Sequence, residues 1–217
     1  MLRTVGRILP VTLDTVTLEA SLEDGTRVVG ETQINGCGRR IDRIILHPAE
    51  ARPAPGVIES IVEADLVVIG PGSLHTSVLP NVVVDGVGKA LFDSDAVVVL
   101  VANLVSEGGE AAGLDLIDHI SVIEEHAGYP IVDAVLVNSQ PIRASVLERY
   151  AAEGARPLSW SHDRDHRVRV LRRELLAEGP KLRHDPRVAA QCLIDAWDSL
   201  SSRGPGVDAP ATITGDR

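Results

Sequence analysis

The sequence predicts an α/β fold, Rossmann-like and built in three layers, with a parallel sheet between flanking helices and a β-hairpin at the N-terminus. Short apolar runs alternate with segments of helical character from residue 56 onward, and strands separated by single helices pair in parallel. Aromatic residues are only 2% of the chain, while hydrophobic residues as a whole are 44%. The core must therefore be aliphatic, as in sheets that are buried on both faces. A length of 217 residues fits one domain of ordinary size.

The first part of the chain predicts strands. Four segments have the composition of strands, at residues 5–9, 15–22, 26–34 and 41–46. The sequence Glu-Asp-Gly-Thr at residues 23–26 is a turn signal between the second and third of these segments. Together they predict the N-terminal hairpin.

The pattern changes to helix–strand units after Pro53. Helices are predicted at residues 56–64, 82–92 and 115–126, each followed by a strand, at residues 66–69, 97–101 and 134–137. A helix at 144–152, a short strand at 168–171 and a helix at 186–200 complete the predicted elements. Asp185 is placed to cap the last helix and Pro186 to begin it. Residues 1–202 are expected to form a single domain, and residues 203–217 a disordered tail.

The segment most informative about function is residues 70–81, Gly-Pro-Gly-Ser-Leu-His-Thr-Ser-Val-Leu-Pro-Asn, which follows a predicted strand and precedes a predicted helix. Gly70 and Gly72 would let the backbone approach a phosphate, and the helix N-terminus offers unpaired N–H groups. Three hydroxyl donors complete this predicted anion site: Ser73, Thr76 and Ser77. The pattern is neither a Walker A motif nor GxGxxG. Phosphate binding and an ordinary strand-to-helix turn with capping hydroxyls therefore both remain open.

Three loops leave the carboxyl ends of the predicted parallel strands, at residues 70–76, 103–113 and 138–143. Ligands in such sheets bind beyond the carboxyl ends, so we expect the loops to converge on one crevice. Asn103 could bond a ribose, a phosphate or a sugar amide, or it could be a turn residue. Glu110 could hold a sugar hydroxyl or a metal, or it could lie on the solvated surface.

Several histidines and acidic residues suggest sites of other kinds. His75 is expected to lie at the surface. Asp118 and His119 are expected to bond a helix to its adjoining loop rather than to catalyse a reaction. A cluster within residues 162–166 contains two histidines and two aspartates, but a solvated loop is the favoured interpretation. No G-x-S-x-G elbow is present. No catalytic residue and no metal site are therefore predicted.

Charge and composition exclude some classes of partner. The net charge of −10 disfavours nonspecific binding to nucleic acid or to an anionic membrane. The strongest apolar run, residues 96–102, is far too short to span a bilayer, so membrane insertion is not expected. Cys37 and Cys192 lack the spacing of a metal site and are expected to be reduced thiols. A cytoplasmic location follows from these expectations.

The segment at residues 70–81 resembles GPGSLYTSIIPN, a signature of the gluconeogenesis-factor family of YvcK-like proteins, which is related to the CofD-like 2-phospho-L-lactate transferases. Other matches follow in the same order: a hairpin opened by Gly6 with Gly30 and Glu31 in its second strand, then Asn103-Leu104, Gly109-Glu110, Asp118-His119, residues 133–138, residues 148–150 and Arg183-His184-Asp185. The resemblance covers about residues 3–200.

Parts of the family pattern do not occur in this chain. The Gly-rich GGGTG turn that opens family members is absent, and so are their DDGGSSG and PPGD segments. The resemblance therefore implies the C-terminal portion of a family member and an incomplete version of its fold. An inactive remnant is one outcome that this implies.

The resemblance also implies a ligand and a role. It points to a regulator that binds a nucleotide sugar, in particular UDP-N-acetylglucosamine, and supports cell shape and envelope synthesis during growth on gluconeogenic carbon. The glycines and hydroxyls of residues 70–77 would take the diphosphate, Asn103 and Glu110 would lie nearby, and Tyr150 and Arg183 would close over the nucleotide. No cofactor would be required, and self-association is left open.

The alternative that the resemblance implies is an enzyme. A transferase of the phospholactate type would move a phosphorylated organic acid from a guanylyl donor to a deazaflavin. Such a reaction would use Mg²⁺ to offset the charge of the phosphates.

Overall fold

The structure is a computed structural model that describes residues 5–106, 113–152, 154–158, 167–179 and 181–201. Three predictions from the sequence concern residues outside the described ranges. They are Glu110, the acidic and histidine cluster of residues 162–166, and the predicted tail.

The N-terminal part of the chain forms a three-stranded antiparallel sheet in the order β2-β1-β3. The strands are β1 (Thr17–Leu22), β2 (Arg27–Val29) and β3 (Ile41–His47). The predicted turn at residues 23–26 joins β1 to β2, where the Leu22 N–H donates to the Thr26 carbonyl at 2.8 Å. The short helix α1 (Glu31–Asn35) lies between β2 and β3 and buries Ile34 completely.

Two strand predictions in this region were wrong. Residues 5–9 form no strand, and Val5 and Ile8 are exposed by 106% and 73% because no neighbouring strand pairs with them. The predicted strand 26–34 ends at Val29, because Gly30 turns the chain with a φ of +96° and begins α1. The hairpin is therefore β1–β2, and Gly30 and Glu31 lie beyond its second strand.

The second sheet has four parallel strands in the order β4-β5-β6-β7. They are β4 (Leu66–Ile69), β5 (Val97–Val101), β6 (Ala134–Asn138) and β7 (Arg169–Arg173). All five residues of β5 are buried, as expected for a central strand covered on both faces. The predicted parallel α/β fold is confirmed.

The helices connect these strands. They are α2 (Val57–Val62), α3 (Leu79–Val82), α4 (Val87–Asp93), α5 (Leu116–Ala127), α6 (Ala144–Ala151) and α7 (Pro186–Ser201). A π-helical turn at Leu74–Val78 runs directly into α3. The predicted helix 82–92 was wrong in its bounds. Helical structure begins earlier, at Leu74, and it is interrupted before α4 at Gly86, where φ is +79°.

Two hydrophobic cores form on opposite faces of the parallel sheet, because successive strand side chains point to opposite faces. Val98, Leu100 and Val135 share one core with residues of α3, α4 and α5. Val97, Val99 and Val101 share the other with Cys192 and Ala196 of α7. This arrangement is the predicted three-layer order of helices, sheet and helix. No helix in the described part of the chain is long and apolar enough to cross a membrane.

Candidate functional site

The turn after β4 is packed too tightly for side chains at its glycines. Gly70 has a φ of +73°, and a Cβ there would lie 3.2 Å from the Val101 carbonyl oxygen at the end of β5. A Cβ at Gly72 would lie 3.3 Å from the Cβ of Ser77. The two glycines therefore let the turn lie against the carboxyl end of the neighbouring strand.

The hydroxyls of the turn bond one another and the adjoining helix. Ser73 precedes the π-helical turn, and its Oγ accepts from the Thr76 N–H at 3.4 Å. The Oγ1 of Thr76 lies 2.7 Å from the Ser73 Oγ and 2.9 Å from the Oδ1 of Asn35 in α1. The Ser73 carbonyl accepts from the N–H groups of Ser77 and Val78 at 3.0 and 2.9 Å. Ser73 therefore has the capping role that the sequence left open, and the Thr76 hydroxyl links it to α1.

Asn103 joins the loop after β5 to the loop after β4. Its Oδ1 accepts from the Gly72 N–H at 3.1 Å, and its Nδ2 donates to the Gly72 carbonyl at 2.9 Å. Both hydrogen-bonding ends of the amide are used in this way. Asn103 therefore positions the Gly-Pro-Gly turn.

A second set of bonds brings the end of α6 to the end of β5. Val105 forms an isolated antiparallel bridge with Pro157. The Ser106 N–H donates to the Arg156 carbonyl at 2.6 Å, and the Arg156 N–H donates to the Ser106 Oγ at 3.0 Å. These contacts hold the segment that follows Tyr150 against the loop that begins at Asn103.

The chain that follows β7 folds back on itself at the same edge of the sheet. The Ala177 N–H donates to the Arg183 carbonyl at 2.9 Å, and the Asp185 N–H donates to the Leu175 carbonyl at 2.7 Å. The Leu182 N–H donates to the Tyr150 hydroxyl at 3.2 Å. Tyr150 and Arg183 therefore come together although they are far apart in the sequence.

These segments line an open cavity of about 450 Å³ beyond the carboxyl ends of β4 and β5, called here the site cavity. Its lining residues are Pro71, Asn103, Leu104, Val105, Ser106, Tyr150, Ala155, Leu182, Arg183 and His184. Three residues singled out from the sequence, Asn103, Tyr150 and Arg183, share this cavity. Its volume lies in the usual range of small-molecule sites.

An adjoining cavity of about 360 Å³ shares Asn103 and Leu104 with the site cavity and extends along the sheet edge to Asn138 and Arg172. Asn138, at the end of β6, accepts from the N–H groups of Gln140 and Leu175 at 3.2 and 3.0 Å through its Oδ1. The three loops predicted to converge therefore border one continuous edge of the sheet.

Other residues of the predicted anion site lie elsewhere. Gly70, Gly72 and Ser77 line a separate, largely apolar cavity of about 280 Å³, with Val68 and Val82 among its other lining residues. Pro71 borders both cavities, so the turn separates them.

The histidines near the site are buried rather than exposed. His75 is only 1% exposed, so the expected surface position was wrong. Burial, with the positive charges of His126 and His119, lowers the pKa of His75 to about 4. His119 lies on α5 with its Nδ1 2.7 Å from the Asp115 carbonyl oxygen. Asp115 and Asp118 form a capping box at the start of that helix. The local hydrogen bonding predicted for Asp118 and His119 is confirmed.

His184 is a lining residue that the sequence reasoning did not select. Burial lowers its pKa, and its bond to the backbone of Ala102 opposes that shift. The sequence did hold a signal for His184, because it directly follows Arg183 in the Arg-His-Asp segment that matches the family pattern. Within the described ranges, no group of three or more His, Cys, Asp or Glu side chains is placed to hold a metal ion.

Comparisons with known proteins cover most of the chain. The family model for 2-phospho-L-lactate transferase CofD matches residues 1–176. The gluconeogenesis factor of Bacillus subtilis is 35% identical over 193 residues, which are 88% of this chain and 61% of that protein. The gluconeogenesis factor of Halalkalibacterium halodurans is 35% identical over 203 residues, which are 91% of this chain and 62% of that protein.

A crystal structure agrees with the sequence comparisons. A UPF0052 family member from Bacillus halodurans superposes with a TM-score of 0.82 at 36% identity, over 87% of this chain and 62% of that one. The chain therefore spans about three fifths of the length of these relatives.

Proposed function

Because this chain belongs to the CofD family, and within it to the branch of the gluconeogenesis factors, we propose that it binds a nucleotide sugar of the UDP-N-acetylglucosamine type. The site cavity is the proposed place of binding. The observation that carries the proposal is that Tyr150 and Arg183, from distant parts of the sequence, line the same cavity at the carboxyl edge of the parallel sheet. This edge is where α/β sheets bind their ligands.

The chemistry of the lining fits such a ligand. An arginine guanidinium forms paired hydrogen bonds with phosphate oxygens, and Arg183 is exposed enough to reach a diphosphate. The Tyr150 hydroxyl accepts from the Leu182 N–H, which holds the ring in place. The Arg149 guanidinium lies over one face of the ring, 5.9 Å from its centroid, so a base would stack on the opposite face. Pro71 and Asn103 line the same cavity, and the Asn103 Oδ1 accepts from the Gly72 N–H, which supports a role for Pro71 and Asn103 close to the diphosphate.

The role that we propose is regulatory and requires no covalent step. The protein would respond to the supply of nucleotide sugar in the cytoplasm and so support cell shape and envelope synthesis during growth on gluconeogenic carbon. A second candidate function is favoured by the description of the matching family model. It is the Mg²⁺-dependent transfer of a phosphorylated organic acid to a deazaflavin.

The test is calorimetric titration with UDP-N-acetylglucosamine, and separately with GDP plus Mg²⁺. Wild type, Arg183→Ala and Arg187→Ala are compared, because Arg187 is an exposed arginine of the nearby helix α7 that does not line the cavity. We expect the UDP-sugar to bind wild type and Arg187→Ala, and to lose most of its affinity for Arg183→Ala. Binding to GDP with Mg²⁺ alone would replace this proposal with the transferase, and binding to neither ligand would overturn both.

A further inference from the structure

A second open cavity, of about 410 Å³, lies beyond the carboxyl ends of β6 and β7 and is called here the β6–β7 cavity. Its walls are formed by residues 140–143 of the loop after β6, by Val146 of α6, and by residues 176–179, Lys181 and Leu182 of the chain after β7. In the described part of the chain, Leu182 is the one lining residue that it shares with the site cavity. Its volume suits a small molecule, so this cavity is a candidate site of its own.

Backbone bonds shape the wall between the two cavities without any ligand. The Ala177 N–H donates to the Arg183 carbonyl at 2.9 Å, and Leu176 forms an antiparallel bridge with His184. These pairings fold the chain after β7 back on itself, and Leu182 lies within the folded segment. A wall that is already formed lowers the entropic cost of binding a ligand against it.

The Arg143 guanidinium lies at the β6–β7 cavity. Its Nη2 donates to the Gly179 carbonyl at 3.2 Å, and both residues line the cavity. The bond joins the loop after β6 to the chain after β7, so the guanidinium lies where these two walls meet. Arg143 is exposed, and its other N–H groups have no partner among the described residues. They are therefore available to an oxyanion that enters the cavity.

Lys181 adds a second positive charge to the same lining. It is exposed and forms no ion pair within the described ranges, whereas the other lysine of the chain, Lys89, is paired with Asp93. Arg143 bonds a neutral carbonyl, so its charge also has no carboxylate partner in that part of the chain. Two unpaired cations on one cavity are unusual in a chain with a net charge of −10. Together they offer the donors and the charge that bind a phosphate group.

Two further lining residues indicate what else the ligand carries. Glu178 and Gln140 also line the β6–β7 cavity. A carboxylate repels a bare phosphate but accepts hydrogen bonds from hydroxyl groups, and an amide both accepts and donates. The lining therefore combines cations for a phosphate with acceptors for hydroxyls, which is the chemistry that recognises a sugar phosphate.

We propose that the β6–β7 cavity binds a small phosphorylated polyol of the sugar-phosphate class, with Arg143 and Lys181 on the phosphate and Glu178 and Gln140 on the hydroxyls. The proposal goes beyond nucleotide-sugar binding and does not depend on it, because the two cavities are lined by different cations. Arg183 lines the site cavity, whereas Arg143 and Lys181 line the β6–β7 cavity.

The test is calorimetric titration with glucose 6-phosphate, inorganic phosphate and glucose. We expect wild type to bind glucose 6-phosphate most tightly and glucose most weakly. Arg143→Gln and Lys181→Gln should each weaken binding of glucose 6-phosphate by about 10- to 100-fold, because each removes charge-assisted hydrogen bonds. Arg187→Gln and Lys89→Gln are the matched controls and should bind as wild type does, since neither residue lines the cavity. Lys181→Gln breaks no bond to the described residues, so the test stands even if Arg143→Gln does not fold.

Glu178→Ala tests the recognition of the hydroxyls. Removal of this carboxylate should strengthen binding of inorganic phosphate, because a repelling charge is lost. It should also reduce the advantage of glucose 6-phosphate over inorganic phosphate, because an acceptor for hydroxyls is lost as well. An unchanged ratio of the two affinities would overturn the role of Glu178.

Two further measurements place the ligand. Arg183→Ala should keep its affinity for glucose 6-phosphate, although it is expected to lose UDP-N-acetylglucosamine. In amide NMR spectra of wild type, glucose 6-phosphate should shift the signals of Gln140 and Gly179 and leave that of Ser106, at the site cavity, in place.

The outcomes separate this proposal from the proposed function. Equal affinities of wild type, Arg143→Gln and Lys181→Gln for glucose 6-phosphate would overturn the second site and leave nucleotide-sugar binding in place. A loss of affinity in Arg183→Ala alone would move the phosphate to the site cavity and overturn the proposal in the same way. Failure of wild type to bind either phosphate compound would also overturn it, whatever the result with UDP-N-acetylglucosamine.

Discussion

The amide of Asn103 and the backbone of Gly72 form a reciprocal pair of hydrogen bonds, 3.1 and 2.9 Å long, between the loops that follow two adjacent parallel strands. One bond uses the acceptor of the amide and the other its donor, so only an amide side chain completes both. The pair holds Pro71 and Asn103 on the wall of the site cavity. The geometry of the site therefore depends on the hydrogen bonds between Asn103 and Gly72, which join two parts of the protein to each other.

The first prediction concerns this pair. Asn103→Asp keeps an acceptor for the Gly72 N–H but places a carboxylate against the Gly72 carbonyl, so we expect a loss of about 1–3 kcal/mol in the free energy of unfolding at neutral pH. Urea denaturation measures it. Asn81→Ala is the control, because Asn81 is exposed and its amide makes one bond, to the Ser77 carbonyl. A loss for Asn103→Asp no larger than that of the control would contradict the prediction.

The second prediction concerns the contact between α4 and the end of α5. A Cβ at Gly88 would lie 3.0 Å from both the Cα and the carbonyl carbon of Ala127, and closer still to the oxygen. Alanine favours a helix by about 1 kcal/mol over glycine, but overlap with backbone outweighs this gain. We expect Gly88→Ala to lower the free energy of unfolding by about 2 kcal/mol, measured by thermal or urea denaturation. Gly6→Ala, with no atom near its Cβ, should change it little. Equal free energies of unfolding for Gly88→Ala and Gly6→Ala would contradict the predicted steric clash with Ala127.

The third prediction concerns acid stability. The pKa of His75 falls from 6.5 to about 4 on folding, chiefly because of burial. The folded protein holds the ring neutral, so stability is complete above about pH 6.5 and falls as the pH drops from there toward 4. Burial also lowers the pKa of His126, which accepts from the Ile44 N–H at 3.0 Å, and acts in the same direction.

Replacing His75 with a neutral side chain should remove part of this dependence. Between pH 7 and pH 5, wild type should lose about 2 kcal/mol more of its free energy of unfolding than His75→Gln. His47→Gln, which changes a histidine near the surface, should retain the loss seen for wild type. Parallel slopes for wild type and His75→Gln in urea denaturation across this range would refute the assignment.

The fourth prediction concerns the link between the start of β7 and α5. Arg167 donates from Nη2 to both carboxylate oxygens of Glu124, at 2.8 and 2.6 Å, and from Nη1 to the Val132 carbonyl at 2.8 Å. Lysine cannot reproduce this fork. We expect Arg167→Lys to cost about 1 kcal/mol of stability in chemical denaturation. Arg169→Lys should cost less, because Arg169, the first residue of β7, has one side-chain bond, to the Ser199 Oγ. A larger effect for Arg169→Lys would show that the fork is not the source of the stability.

Much of the parallel sheet could be predicted from the sequence. Strands β4 and β5 have the bounds predicted from their apolar runs, and β6 is one residue longer. Each run is short and rich in Val and Leu, so local composition alone indicates it. Asp185 marked the start of α7 for a similar reason, since a capping residue acts on N–H groups close to it in the chain.

Features that depend on distant partners could not be predicted in this way. Residues 5–9 have the composition of a strand, but a strand needs a neighbouring strand, and none among the described residues pairs with them. His75 carries no local sign that α5 would bury it. The resemblance to a family placed Tyr150 and Arg183 in one site, but no local pattern could do so.

The sequence by itself determined the succession of strands and helices, the glycine turn after β4 and the caps of the long helices. The tertiary structure decided which of the candidate residues share a cavity. Asn103, Tyr150 and Arg183 meet because the bonds of Gly72, Ser106 and Leu182 join segments that are remote along the chain. Local preferences act over a few residues, whereas a binding cavity exists only after the backbone groups of distant loops have paired.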